Sequence, residues 1–316
     1  MNTVALAWGL HNLGDGDEIL VCPDDHKSTV LPWLALRQTL AAFGVKIKIV
    51  PFKVHPEGDY ELKSIRAGLT ERTRLITMTH VHHIYGVDME VDKVREVVGP
   101  DVLTSLDSSQ AVGHRSVDVQ ELGVDFVSFP GHKMFAETGV GILWCHPRVH
   151  AQLWPVRVGG QTLGFEQMDG GSLPPGSVPP PQLLESGTQN AAAIISMHAA
   201  IDFIDSLGIE LIEGHVSRLA HYLRHELSVL PGIVFAPGFS QCGCAKAYGI
   251  VAFRFEQYPT TDVAALLDAE DVFVRSGGMC KTILSNGDDF MRASLHVYNT
   301  RQDVDRLADV LRTHLD

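Results

Sequence analysis

The feature that most constrains the fold is a succession of short, almost continuously apolar segments alternating with helix-like patterns. The segments are EILVC at 18–22, KIKIV at 46–50, RLITMT at 74–79, VLTSLD at 102–107, DFVSF at 125–129 and VGILW at 140–144. Between the first two, Leu31, Trp33, Leu34, Leu36, Leu40 and Phe43 recur at helical spacing and Gly44 ends the run. Further helical patterns lie at 62–69 and 91–98. A strand apolar along its whole length must be covered on both faces, so the pattern predicts an α/β fold around a mainly parallel sheet. Ligands of such sheets gather at the carboxyl ends of the strands.

The chain has 316 residues, enough at ~150 residues per domain for two domains. A Gly- and Pro-rich stretch at 159–182, GGQTLGFEQMDGGSLPPGSVPPPQ, is too rich in breakers for a regular element. A long apolar helix is expected at 190–207 and a second at 211–230. GIVAFRF, FVR and an amphipathic helix at 303–315 then indicate a small α+β domain. The expected division is a large domain over 1–207 and a small C-terminal domain over 208–316.

With 25 basic against 38 acidic residues the net charge is −13, which argues against nucleic acid or an anionic membrane as a principal partner. No apolar run approaches the ~20 residues that span a bilayer. The amino end has no basic leader and meets Asp15 and Asp17 early, so it matches neither a secretory signal nor a transit peptide. Five cysteines without a framework read as reduced thiols, and a cytoplasmic location is expected. Cys242 and Cys244 form a C-x-C without a second ligand pair, read as a plain loop, and no metal is expected.

Three polar groups fall at predicted strand ends: His26 after EILVC, Asp107 in LDSSQAVG, and His132 with Lys133 in SFPGHKMF. Each alone is ordinary, an Asp as a helix cap and a Lys as a solvated charge. Together, at neighbouring ends of one sheet, they would converge. A lysine able to form a Schiff base and an aspartate facing a pyridinium nitrogen are what pyridoxal 5'-phosphate (PLP) requires of its protein.

At this point the chain resembles a known family. DSSQAVGHRSVDVQELGVDFVSFPGHKMFAETGVGILW is similar, over its whole length, to the cofactor segment of class V, fold type I PLP enzymes of the cysteine desulfurase and selenocysteine lyase family. The resemblance implies a fold type I large domain and a small α+β domain. It makes Lys133 the Schiff-base lysine and later the base that moves the substrate's α-proton, and pairs Asp107 with the ring nitrogen. Gln110 would bond the ring's 3' oxygen, His132 the phosphate, and His26, in DDHKSTVLPW, would stack on the ring and relay protons. Thr188, in ESGTQN, would reach the phosphate of a neighbouring subunit, implying a homodimer with shared sites. FVRSGGMC at 273–280 resembles the desulfurase loop in which an arginine precedes a nucleophilic cysteine, and MRASLHVYNT continues the match. Arg275 and Arg292 would hold the carboxylate of a small amino-acid substrate, a task suited to planar guanidinium groups. Cys280, with Lys281 favouring its thiolate, would take the sulfur of L-cysteine as a persulfide, release alanine, and pass the sulfur to an acceptor protein.

Three departures stand out. Pro130 replaces a serine that usually faces the phosphate, His83 replaces an asparagine near the substrate, and Met279 replaces a histidine before the cysteine. In addition, NTVALAWG matches a segment that in the family follows a Gly-Thr-Thr turn, so the resemblance implies an N-terminally truncated chain. Two alternatives accompany the desulfurase reading: another class V activity (C–S lyase, selenocysteine lyase or epimerase) that does not use Cys280, and a truncated non-catalytic remnant.

Overall fold

A computed structural model describes residues 1–162, 176–238, 248–282 and 289–315. Six strands form one sheet: β1 (Glu18–Val21), β2 (Lys48–Pro51), β3 (Thr73–Thr79), β4 (Leu103–Asp107), β5 (Phe126–Pro130) and β6 (Gly141–Cys145). Their order is β2-β1-β3-β4-β5-β6, parallel throughout except that β6 runs antiparallel to β5. Each predicted strand is present within one or two residues, and the mainly parallel α/β sheet is as expected.

Residue parity along the strands explains why both faces are apolar. Ile19, Val21, Leu75, Leu103 and Phe126 face Trp33, Leu36 and Leu40 of the Lys27–Ala42 helix and Val4, Ala7 and Trp8 of the amino-terminal run. Leu20, Ile76, Met78, Leu106 and Val127 face Ile65 of the Leu62–Gly68 helix and Val91, Val94 and Val98 of the Val91–Val98 helix. The apolar amino-terminal segment is helical, but its middle, Ala5–Gly9, is a π turn. Gly9 lies against the neighbouring helix so closely that a Cβ there would stand 2.6 Å from a methyl of Leu36.

The second sheet is antiparallel and ordered β7 (Ile233–Phe235), β8 (Ile250–Phe255), β9 (Met291–Ser294). Leu223, Leu227, Phe253, Leu267 and Leu311 fill its core beneath the Ile209–Ser228, Thr260–Ala269 and Arg301–His314 helices. The last of these starts at a reciprocal cap between Thr300 and Asp303.

Two expectations are corrected. FVR is not a strand: Phe273 is exposed and only Arg275 makes an isolated bridge, to Arg292, while the edge strand proper is MRAS. The Gly/Pro-rich stretch is not wholly irregular, since Pro180–Leu184 forms a short helix that starts on proline. Residues 163–175 of that stretch, and Cys242 and Cys244, lie outside the described residues. Among the described residues no single helix is long and apolar enough to cross a membrane; the Ala191–Leu207 and Ile209–Ser228 helices meet that test only as a pair bent by 77°.

The two sheets meet where Tyr248 N–H donates to the carbonyl of Gly86. Gly86 has φ +68°, and a Cβ on it would lie 2.6 Å from the carbonyl oxygen of Ile250. Gly86→Ala combines left-handed strain with a clash against backbone and is expected to cost about 3 kcal/mol, read as a lower urea midpoint with unchanged m-value.

Candidate active site

Parallel pairing brings the polar strand ends together. Thr79 pairs with Asp107, and Asp107 with Ser128, so the ends of β3, β4 and β5 lie at one edge. The buried carboxylate of Asp107 accepts the N–H of Ser109 at 2.9 Å and the hydroxyl of Thr29 at 3.3 Å. Thr29 lies in the first turn of the Lys27–Ala42 helix, whose N-cap is His26. His26 Nδ1 accepts the N–H of Ser28 at 3.1 Å, so the neutral ring carries its hydrogen on Nε2.

Lys133 stands on the tight turn Gly131–Met134 joining β5 to β6, and Phe135, at φ +72°, reverses the chain. His26, His83, Asp107, Gln110, His132 and Lys133 all line one cleft of about 530 Å³. Pro130 lines it too, as does Ser128, two residues back on the same face of β5, which supplies a hydroxyl to this wall. Burial lowers the Lys133 amine below its ordinary range; the Asp107 carboxylate opposes this, Arg292 reinforces it, and a thiolate at Cys280 opposes it.

His83 is buried, and both of its ring nitrogens lack a hydrogen-bond partner. Its ring meets that of His26 edge-on at 5.1 Å. Burial, with His82, His26, Arg292 and Lys133 nearby, holds it well below the ordinary imidazole range, so it is neutral at pH 7. Its carbonyl accepts Arg292 Nη1 at 2.7 Å. Of the three histidines at the end of β3 and in the loop after it, His80 turns to Ser108, and His82 stacks on Tyr85 with ring centres 3.9 Å apart. Only His83 faces the cleft.

Arg275 and Arg292 exchange both backbone hydrogen bonds, at 2.9 and 2.7 Å, which sets two like charges side by side. Burial lowers Arg292, and Arg275 lowers it further. Like charges in cross-strand register are unfavourable unless an anion joins them. Cys280 is exposed, with φ +60° following φ +40° at Met279. Lys281, expected to act on the thiol, has its ammonium 3.3 Å from Asp289. Cys280, Arg275, Arg292 and Thr188 are not among the cleft's lining residues. Thr188 is exposed, between the Pro180–Leu184 and Ala191–Leu207 helices. Sequence reasoning missed Thr29 and Ser128. The signals were present: a threonine three residues into a helix capped by His26, and strand parity with Pro130.

The mainly parallel sheet carries an aspartate on one strand and a lysine on the next hairpin, and is joined to a small antiparallel sheet. The aminotransferase class-V family matches residues 1–307, and the chain belongs to it. Within that family it is cysteine desulfurase-like. A probable cysteine desulfurase of Halalkalibacterium halodurans is 33% identical over 313 residues, 98% of this chain and 73% of that protein. A cysteine desulfurase of Salmonella typhimurium is 32% identical over 321 residues, 99% of this chain and 75% of that protein. The crystal structure of the cysteine desulfurase CsdA from Escherichia coli matches with a TM-score of 0.85 at 25% identity, over 99% of this chain and 75% of that one. The apo cysteine desulfurase from Thermococcus onnurineus gives 0.85 at 28% identity, over 99% and 76%. The chain thus spans about three quarters of the length of these relatives.

Burial lowers His80 and His114 to about 4 and His82 and His296 to about 3, and holds His83 well below its ordinary value. Below pH 6.5 the unfolded chain takes up protons at these sites that the folded chain refuses, each at up to about 1.4 kcal/mol per pH unit. Asp25 and Asp59, raised by burial, act in the opposite sense but are fewer. Stability is therefore expected to fall as pH drops from 6.5 to 5, seen as a decreasing urea midpoint; a flat profile is incompatible with neutral buried histidines.

Proposed function

We propose that the chain binds pyridoxal phosphate and takes sulfur from L-cysteine, giving alanine and a persulfide on Cys280. The observation that carries this reading is the meeting of Asp107, Lys133, His26, His83 and Gln110 in one cleft, with Arg292 bonded to the His83 carbonyl and the Cys280 carbonyl bonded to Lys27, next to His26. The residues fit the cofactor. A buried carboxylate suits a pyridinium nitrogen, a buried amine of lowered proton affinity suits a Schiff base, and the unpartnered nitrogens of His83 are donors or acceptors awaiting a ligand.

When bound, pyridoxal phosphate supplies an electron sink for the substrate's α-carbon. Asp107 would hold the ring nitrogen, Gln110 the ring oxygen, and His132 the phosphate, with Thr188 of a neighbouring copy. His26 would lie against the ring. Arg275 and Arg292 clamp the substrate carboxylate, which also relieves their mutual repulsion. His83 contacts the substrate. Lys133 Nζ moves the α-proton once its amine is free. The Cys280 thiolate would attack the substrate sulfur; the S–S bond forms as the C–S bond breaks, its electron pair passes to the departing carbon, and protons taken up there and returned to the α-carbon complete alanine. The exposed position of Cys280 suits transfer of the sulfur to an acceptor protein.

A homodimer is part of the proposal. Thr188 lies outside this chain's own cleft, and the helix after it exposes Ile194, Ile195 and Ile201. A division near 207/208 fits the packing in part: Met197 and Ala200 sit on Met134 and Ala136 beside Lys133, Leu219, Leu223 and Leu227 sit on the small sheet, and Ile212 and Val216 between them still join the first cluster. The unpaired Cys22, Cys145 and Cys280 support the cytoplasm as the compartment.

Lys133→Ala is expected to lose the cofactor's visible absorption. Cys280→Ala is expected to keep it and form no persulfide; alanine release at the wild-type rate in that variant would favour another class V activity. Arg292→Lys, which replaces a planar fork with a point charge, is expected to raise KM for cysteine by about 10- to 100-fold. Purified protein with no visible band even after added pyridoxal phosphate would favour a non-catalytic remnant.

A further inference from the structure

The turn between β1 and the Lys27–Ala42 helix, residues 22–27, is held from two sides. On one side it is tied to β3 and the loop after it. The buried carboxylate of Asp25 accepts the hydroxyl of Tyr60, whose oxygen accepts the N–H of Thr79 at 2.8 Å. The carbonyl of Asp24 bonds His82 Nε2 at 3.1 Å. On the other side the turn meets the cysteine loop, far along the chain. Thr282, a buried residue, donates its hydroxyl to the carbonyl of Pro23 at 2.7 Å, and the N–H of Lys27 donates to the carbonyl of Cys280 at 3.0 Å. The Lys27 N–H is one of the first-turn donors a helix cannot satisfy internally, so the cysteine loop completes that helix.

The loop does not adopt this shape on local preference. Met279 and Cys280 are consecutive non-glycine residues with positive φ, each costing on the order of 1 kcal/mol. Outside contacts must hold them there. Met279 is buried in the core beneath the large sheet, and among the described residues Thr282 and Lys27 grip the loop on the side of the 22–27 turn.

We propose that Thr282 is a positioning residue: by gripping the Pro23 carbonyl, its hydroxyl seats the Cys280 loop on the turn that carries His26. The thiol then stands at a fixed place relative to the cofactor histidine, and the two are set by one turn. This rests on Cys280 as the nucleophile of the proposed reaction, but the seating itself is a property of the chain without cofactor.

Thr282→Val keeps the side chain's shape and removes the hydroxyl; Thr282→Ser keeps the hydroxyl. In the full chain without added cofactor, amide hydrogen exchange at Lys27 is expected to quicken about fivefold in Thr282→Val, the equivalent of about 1 kcal/mol, and to stay within about twofold of wild type in Thr282→Ser. Exchange at Leu36, inside the same helix, is expected not to change. With the cofactor-loaded protein in a single turnover, Thr282→Val is expected to slow persulfide formation at Cys280 by a similar factor, with an unchanged cysteine concentration for half-maximal rate. Wild-type exchange at Lys27 in Thr282→Val overturns the proposal, as does an equal rise at Leu36, which marks general loosening. Should Cys280→Ala release alanine normally, the desulfurase reading fails, while the Lys27 measurement still decides the seating.

Discussion

The parallel register that sets Thr79 beside Asp107, and Asp107 beside Ser128, fixes where the other polar groups of the cleft stand. Parallel strands end on the same edge, so groups distant in sequence become neighbours without any one segment carrying them all. Parity then sorts them. Leu106 points into the core on one side, while Asp107 points towards the Lys27–Ala42 helix and meets Thr29. A slip of one residue would exchange those faces, burying a carboxylate among Ile76, Met78 and Val127. The apolar density of the strands is thus what guarantees the placement of the acid, since only one register satisfies both faces.

The cleft also shows why net charge is a poor guide to local chemistry. The chain carries −13 overall. Yet at His26 the cations Lys133, Arg292 and Lys27 oppose protonation, against the carboxylate of Asp107. Such an arrangement favours anions at short range whatever the charge of the distant surface. The arginine pair sharpens this, because the two guanidinium groups are brought together by backbone hydrogen bonds that their own repulsion opposes.

Much of the architecture was legible in the sequence, for reasons that differ between its parts. The six strands of the large sheet were readable because their burial on both faces leaves little room for polar residues. The small sheet was less so: β7 has only three residues, and β9 is short enough that FVR, equally apolar, competes with it. What decides between them is pairing with β8, which is not encoded locally. Among site residues, Asp107, His26, Gln110, His132 and Lys133 were found through strand ends and resemblance, and they share the cleft. The residues that hold them were not. Histidine is an unusual N-cap, and no local pattern marks Tyr60 or Thr282 as a hydrogen-bonding anchor. Their roles come from partners 35 and 259 positions away.

The strand that breaks the parallel rule shapes the chemistry as much as those that keep it. Because β6 returns alongside β5, Lys133 is mounted on a hairpin rather than on a long crossover, with five paired positions from Phe126 to Pro130 clamping its base. Met134 and Ala136 are buttressed by the Ala191–Leu207 helix. The backbone beneath the lysine is thus held by ladder pairing on one side and helix packing on the other. The four-carbon stem then sets how far the amine reaches, and the proton transfer proposed for Lys133 requires a substrate whose α-carbon comes within that reach.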